Sequence, residues 1–423
     1  MTSEVCIMNR LAVVLAADSA TTVTYWNGTK EEQRYFKGAN KIFQLSNLRP
    51  IGVMIFDSAS LLDVPWEVVV KEFRLELADK SYDHVEHYAN AFFDFLDANT
   101  LLFPLDVRRR HFVSGVTMAT LRTIGAANAV VPDNDPDPAA TTASALQSRL
   151  ADLSVVQFPP CSDAGKLNNA AATHSADIIA NVEKFLVDFS ITFHGSVDLA
   201  VQIALMDVMK SPNSFLSTTG IVFAGFGDKD VFPTTIEYQS CCYLSEDHAE
   251  LKKNEVKIDH TSPARLLPFA QASMAETFRM GMSQTVFVSL MGAVADETDQ
   301  LIQAAVTASG GQVASIPDLP GMLKEARDRI GDKVLEDARN ENAYPLQRVI
   351  SSLPIDEMAN LAETLINLQS LKERVTKPSE SVGGPVDVAA ITRSEGLVWI
   401  RRKHYFPDDL NRRFQQRQNA LYK

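Results

Sequence analysis

Short apolar runs crowd the beginning of this chain, and they constrain its fold more than anything that follows. Val5-Cys6-Ile7-Met8, Ala12-Val13-Val14-Leu15-Ala16-Ala17, Ile42-Phe43-Gln44-Leu45 and Ile51-Gly52-Val53-Met54-Ile55-Phe56 are each closed by a turn signal. Runs of that length, so bounded, read as buried strands rather than helices. Between them lie a hydroxyl at Thr2, a carboxylate at Asp18 and an ammonium at Lys41. Thr2 is one cleavage from being an amino-terminal residue. Such a threonine carries nucleophile and base together: the hydroxyl attacks, and the free α-amine takes its proton directly or through a water. The α-amine titrates at about 8 in model peptides, so a useful fraction is neutral at working pH.

The stretch resembles the β subunits of proteasomes and their bacterial relatives that work with ring ATPases. These are threonine peptidases of the N-terminal-nucleophile (Ntn) hydrolase superfamily. Thr2 and Asp18, the latter within Ala16-Ala17-Asp18-Ser19, match the family's nucleophile and strand-end aspartate at its spacing. Lys41 before Ile42-Phe43-Gln44-Leu45 matches the family's catalytic lysine. Thr22 matches a threonine whose backbone aligns substrate as an extra strand. The resemblance implies an α/β (α+β) fold, a four-layer α/β/β/α sandwich of mainly antiparallel sheets. It also implies amide hydrolysis, with Lys41 tuning the threonine and Asp18 holding Lys41. Backbone N–H groups near Asp57 and Ser58 would hold the oxyanion. Asp57 departs from the pattern, because the family has glycine there. The family's late aspartate-and-serine segment finds its nearest match in Ser379-Glu380-Ser381-Val382-Gly383-Gly384. Glu380 and Ser381 are the candidates for its role, and Gly383 falls where a serine belongs.

Composition excludes several other classes. The 423 residues are 46% hydrophobic and 22% charged, an ordinary globular balance. A net charge of −13 repels phosphate backbones, so nucleic acid is not an expected partner. The four cysteines, Cys6, Cys161, Cys241 and Cys242, have neither disulfide-framework nor metal spacing, which fits a reducing cytoplasm. No signal peptide or membrane span is legible. No cofactor is called for.

Along the chain, Asn27-Gly28 reads as a hairpin turn between Val23–Trp26 and Arg34–Phe36. Asp63-Val64-Pro65-Trp66 reads as a capped helix start, with Trp66, Val69, Val70, Phe73 and Leu77 at helical spacing. Tyr88 to Leu102 reads as helical. Residues 130–143, with three prolines and three aspartates, read as an exposed loop. Residues 176–189 and 197–209 have amphipathic helix patterns. Gly220–Gly225 and Thr234–Tyr238 read as a hairpin. Arg265–Met280 reads as a helix, as do 284–307, 321–339 and 354–375. Pro385–Thr392 and Leu397–Ile400 form a last hairpin, resembling the strand that closes the family's fold. The domain expectation is an Ntn core of residues 1–79, 215–300 and 380–404. A mainly helical insertion of 80–214, a helical addition of 301–379 and a polar tail of 405–423 complete it.

Each site has a plainer reading. Thr2 suits methionine removal simply by being small, Lys41 can be a surface lysine, and Asp18 can cap a turn. His84-Val85-Glu86-His87 lacks a third metal ligand. Arg108-Arg109-Arg110-His111 and Arg401-Arg402-Lys403-His404 suit solvated faces or an acidic partner. Two functions therefore stand. One is a threonine peptidase or amidase that acts on a polypeptide or amide substrate, assembles as a homo-oligomer and works with an ATPase or other protein partner. The alternative is a catalytically inactive Ntn-fold scaffold or binding protein.

Overall fold

The strands at the start of the chain acquire their neighbours from its far end. The computed structural model describes residues 2–26, 31–310, 318–376, 382–407 and 410–421. It is a mixed α/β structure with antiparallel sheets, divided into two compact units. The first unit holds Met1–Ile42, Val231–Pro233 and Lys257–Lys423; the second holds Phe43–Asp230 and Thr234–Val256.

In the first unit, five strands run in the order Ala264–Ala270, Ser3–Asn9, Ala12–Ala17, Asp387–Thr392, Gly396–Arg401. All neighbouring pairs are antiparallel. Ser3–Asn9 and Ala12–Ala17 are buried at every position, the polar Ser3, Glu4 and Asn9 of the first strand included. Asn9 fixes the turn between them: its side-chain oxygen accepts from the N–H of Leu11 at 2.8 Å and of Ala12 at 3.3 Å. Its amide nitrogen donates to the carbonyls of Ile350 and Leu353. The helix Ile355–Thr376 then lays Met358, Ala359, Ala362, Leu365 and Ile366 over Val5, Ile7, Val14, Ala16, Val388 and Ala390. Alternation along a strand sends Glu4, Cys6 and Met8 to the other face of the sheet.

The helix expected over Arg265–Met280 is corrected. Residues Ala264–Ala270 form the edge strand, and only Ser273–Met280 is helical. Pro268 has no N–H to give a ladder, which an edge strand tolerates and a helix interior does not. Gly281, at φ 76°, ends the helix in the left-handed region. The helices Gln284–Ala308 and Leu319–Ala338 follow, close to expectation. The strands Ala20–Trp26 and Glu31–Lys37 pair as expected, while their Asn27-Gly28 turn lies outside the described residues.

In the second unit, five strands run in the order Asp247–Lys257, Thr234–Leu244, Thr219–Gly225, Ile51–Asp57, Ile42–Gln44. The helices Trp66–Leu77 and Val85–Ala98 pack on this sheet through Trp66, Phe73, Phe92, Phe93, Phe223 and Tyr238. Several of these rings meet edge to face. Asp63 does not cap a helix; it sits at φ 66° in the tight turn of a ribbon formed by Ser60–Leu61 and Val64–Pro65. A helical layer of Leu105–Ala129, Pro138–Ser154, Ala164–Asp188 and Val197–Lys210 follows. Two expectations change within it. The loop over residues 130–143 ends earlier, because the Asp137 side chain caps a helix that begins at Pro138. Arg108 is no solvated basic residue: it is buried, and its guanidinium donates to the carbonyls of Leu96, Asp97, Phe103 and Glu246. Two of those carbonyls, of Leu96 and Asp97, lie in the last turn of Val85–Ala98, where a cation satisfies orphan acceptors.

Candidate active site

Strand register brings the beginning of the chain to Asp18. Glu4 pairs with Ala17 across the first hairpin, so Ser3 and Asp18 face each other at its open end. The Asp18 N–H donates to the Ser3 carbonyl at 3.2 Å, and the Ser3 N–H donates to Asp18 Oδ1 at 3.2 Å. On the other side, the Gln271 N–H donates to the Thr2 carbonyl at 2.9 Å. Thr2 is held directly by Gln271 and through its neighbour Ser3 by Asp18, and it is buried, with 6% of its surface exposed.

Lys41 is buried in the same cluster. Its ammonium donates to Asp18 Oδ1 and lies 3.3 Å from Glu4 Oε1. The Thr2 hydroxyl donates to Glu4 Oε2 at 3.0 Å. Asp18 is engaged on its second oxygen as well, by the N–H groups of Gly383 at 2.8 Å and Ala20 at 3.3 Å. A further layer anchors the residue after Lys41. The Ile42 carbonyl accepts from Arg402, and buried Asp387 holds both Arg402 and Lys403. Burial pulls the Lys403 ammonium below its ordinary range, against the opposing pull of Asp387.

The three residues that the sequence pattern singled out first, Thr2, Asp18 and Lys41, thus share one hydrogen-bonded and ion-paired cluster. Its fourth member, Glu4, was missed. Two carboxylates face one ammonium there, and only Asp18 also has backbone donors. Burial pushes the Glu4 carboxyl up to about 8, and Asp18 adds to the rise, while Lys41 and the Thr2 hydroxyl oppose it. A sequence signal for Glu4 did exist. A charged residue inside a run destined for full burial is costly unless something pairs it.

Asp57 and Ser58 belong to the second unit, at the end of Ile51–Asp57. Asp57 has φ 68°, so it adopts a backbone conformation that glycine enters freely and aspartate tolerates better than most residues. Its side chain is exposed, and the Ser58 hydroxyl donates to the Ser60 carbonyl at 2.9 Å. Glu380 and Ser381 lie outside the described residues, as does Met1. The segment after them is described: Gly383, at φ 149°, offers its N–H to Asp18 and its carbonyl to the Ser19 N–H. Thr22 pairs with Tyr35 in the Ala20–Trp26 ribbon. Among the described residues no group of three or more His, Cys, Asp or Glu could hold a metal ion, and no helix is long and apolar enough to cross a membrane.

No family model matches the chain. No curated protein matches it either. Among solved structures it is similar to the Anbu (Gly-1) mutant from Hyphomicrobium sp. strain MC1, at 9% identity and a TM-score of 0.29, over 100% of this chain and 96% of that one.

Proposed function

We propose that this protein is an Ntn hydrolase of the proteasome β-subunit type, a threonine peptidase or amidase. The observation that carries the reading is the link from the Thr2 hydroxyl through Glu4 to Lys41, and from Lys41 to Asp18. Cleavage between Met1 and Thr2 exposes an α-amine beside the hydroxyl. The Thr2 oxygen then attacks an amide carbonyl, and Lys41 stabilises the oxygen as it loses its proton. Asp18 holds Lys41 in place. Backbone N–H groups near Asp57 and Ser58 serve the oxyanion, and the left-handed backbone at Asp57 is the feature that supports this assignment. Glu380 and Ser381 support the amine.

The fold class that goes with this reading is the four-layer α/β/β/α sandwich of mainly antiparallel sheets. The division into an Ntn core of 1–79, 215–300 and 380–404, an insertion of 80–214 and an addition of 301–379 belongs to the same proposal. So do a homo-oligomeric assembly, an ATPase or other protein partner and a cytoplasmic location.

A panel of fluorogenic peptide amides tests the function, with wild type compared against Thr2→Ala. The expected result is turnover in wild type and none in the variant, with an intact mass lacking Met1. Equal turnover in the two proteins rules the mechanism out. The scaffold reading is favoured by one specific observation, the aspartate at position 57 where the resembling family has glycine. A retained Met1 together with inert wild-type protein supports that alternative.

A further inference from the structure

We propose that Glu4 is the base that takes the proton from the Thr2 hydroxyl, an assignment that rests on Thr2 being the nucleophile. Three observations lead there. First, the hydroxyl's hydrogen bond runs to Glu4 Oε2 at 3.0 Å, within the range for direct proton transfer. Second, Glu4 is surplus to the charge balance of the cluster. Asp18 already neutralises Lys41 and is itself held by three backbone N–H groups, from Ser3, Ala20 and Gly383. A second carboxyl, 0% exposed, costs stability by its desolvation. Third, Lys41 lies 3.3 Å from the opposite oxygen, Oε1, and so orients the carboxyl with Oε2 toward Thr2.

The charged groups around Glu4 set its behaviour. Lys41 and Asp18 face it directly, and Lys403 with Asp387 stand behind Lys41. The Thr2 α-amine joins them once Met1 is gone. Burial makes the ionised carboxylate a stronger base than an ordinary glutamate. In the acylation step the Thr2 O–H bond breaks and its proton goes to Glu4 Oε2. The oxygen forms a bond to the carbonyl carbon, whose π pair moves onto its own oxygen. When that pair returns, the C–N bond breaks, and the departing amine nitrogen takes the proton from Glu4. Water then attacks the resulting ester, giving a proton to Glu4, and the Thr2 oxygen leaves as a hydroxyl by recovering it.

A β-lactone probe reads this step without a peptide substrate, because ring opening by Thr2 leaves an acyl adduct visible in the intact mass. Acylation rates are followed across pH for wild type, for Glu4→Gln, and for wild-type protein that keeps Met1 because it is produced with methionine aminopeptidase inhibited. Glu4→Gln preserves shape and an acceptor for the hydroxyl but cannot take a proton. Its rate is expected to fall about 100-fold with Met1 removed as in wild type. The Met1-retaining protein, whose amine is blocked, is expected still to be acylated at Thr2, faster as pH rises. A wild-type rate in Glu4→Gln overturns the assignment. So does a Met1-retaining protein that is inert while the processed one reacts, since the amine is then the base. If Glu4→Gln fails to fold by circular dichroism, the Met1-retaining protein decides alone. Processed wild type that takes no acyl group refutes the nucleophile itself, a different failure from that of its base.

Discussion

The two five-stranded sheets have the same strand count and antiparallel pairing, yet they spend their interiors differently. The sheet of the second unit meets its helices through interlocking rings, with Phe92 within 5.1–5.6 Å of Phe73 and Phe223 in edge-to-face geometry. Among the described residues no buried carboxylate–ammonium pair lies among those rings, and their contribution is cohesion. The sheet of the first unit packs on Ile355–Thr376 with small and aliphatic side chains, and at the open end of its first hairpin it buries Glu4, Asp18 and Lys41. Such a cluster is a poor source of stability, because desolvation offsets most of the attraction. The contrast separates a sheet built to hold together from one whose end is built to position charge.

Removing the cation should break the contrast most severely. Lys41→Met leaves the Asp18 carboxylate buried without a counter-ion, and a loss of about 3–5 kcal/mol is expected in denaturant titration. Hydrolysis by the folded fraction should fall by about 1000-fold or more, and adding Asp18→Asn should recover stability but not turnover. Phe92→Ala tests the other sheet. It should cost about 3–5 kcal/mol while turnover per folded molecule stays at the wild-type value. A comparable loss of turnover would mean that the two sheets do not divide their roles in this way.

The smallest effect sharpens the comparison through pH. Below about pH 4.5 Glu4 is protonated in the folded and the unfolded chain alike, so it adds no slope. Between about 4.5 and about 8 the unfolded chain gives up this proton while the folded chain keeps it. Its contribution to stability is therefore lost as pH rises through that window and levels off above it. Wild type should lose stability relative to Glu4→Gln over this range, as followed by melting temperature. Parallel curves would show that the Glu4 carboxyl titrates as it would in water.

Much of this architecture was legible where local pattern and final environment agree. The apolar runs Val5–Met8 and Ala12–Ala17, and the Val-Asp-Val-Ala-Ala-Ile run at residues 386–391, lie in central strands. Asp18 and Lys41 were singled out through the resemblance; their places at strand ends alone also suit a turn cap and a surface lysine. Glu4 was not, because alternation along a strand says which face a residue takes but not whether that face holds a cation. The edge strand Ala264–Ala270 was misread because its Leu and Phe spacing also fits a helix, and only the pairing with Ser3–Asn9 decides between them. The long helix Leu105–Ala129 carried no clear stripe. Its buried side includes Arg108, Ala119, Thr120 and Ala127, small or polar residues whose burial depends on partners distant in sequence.

The placement of the first strand has a consequence for synthesis on the ribosome. Ser3–Asn9 is bounded by Ala264–Ala270 on one side, and its hairpin partner Ala12–Ala17 is bounded by Asp387–Thr392 on the other. The hairpin therefore waits with one outer edge unpaired until residues 264–270 emerge, and with the other until residues 387–392 do. Unpaired apolar edges of this kind are adhesive, and long-range strand pairing is slow. The Gly383 N–H that secures Asp18 arrives just before Asp387–Thr392, so the hydrogen bonding of Asp18 stays incomplete for as long as that second edge is open.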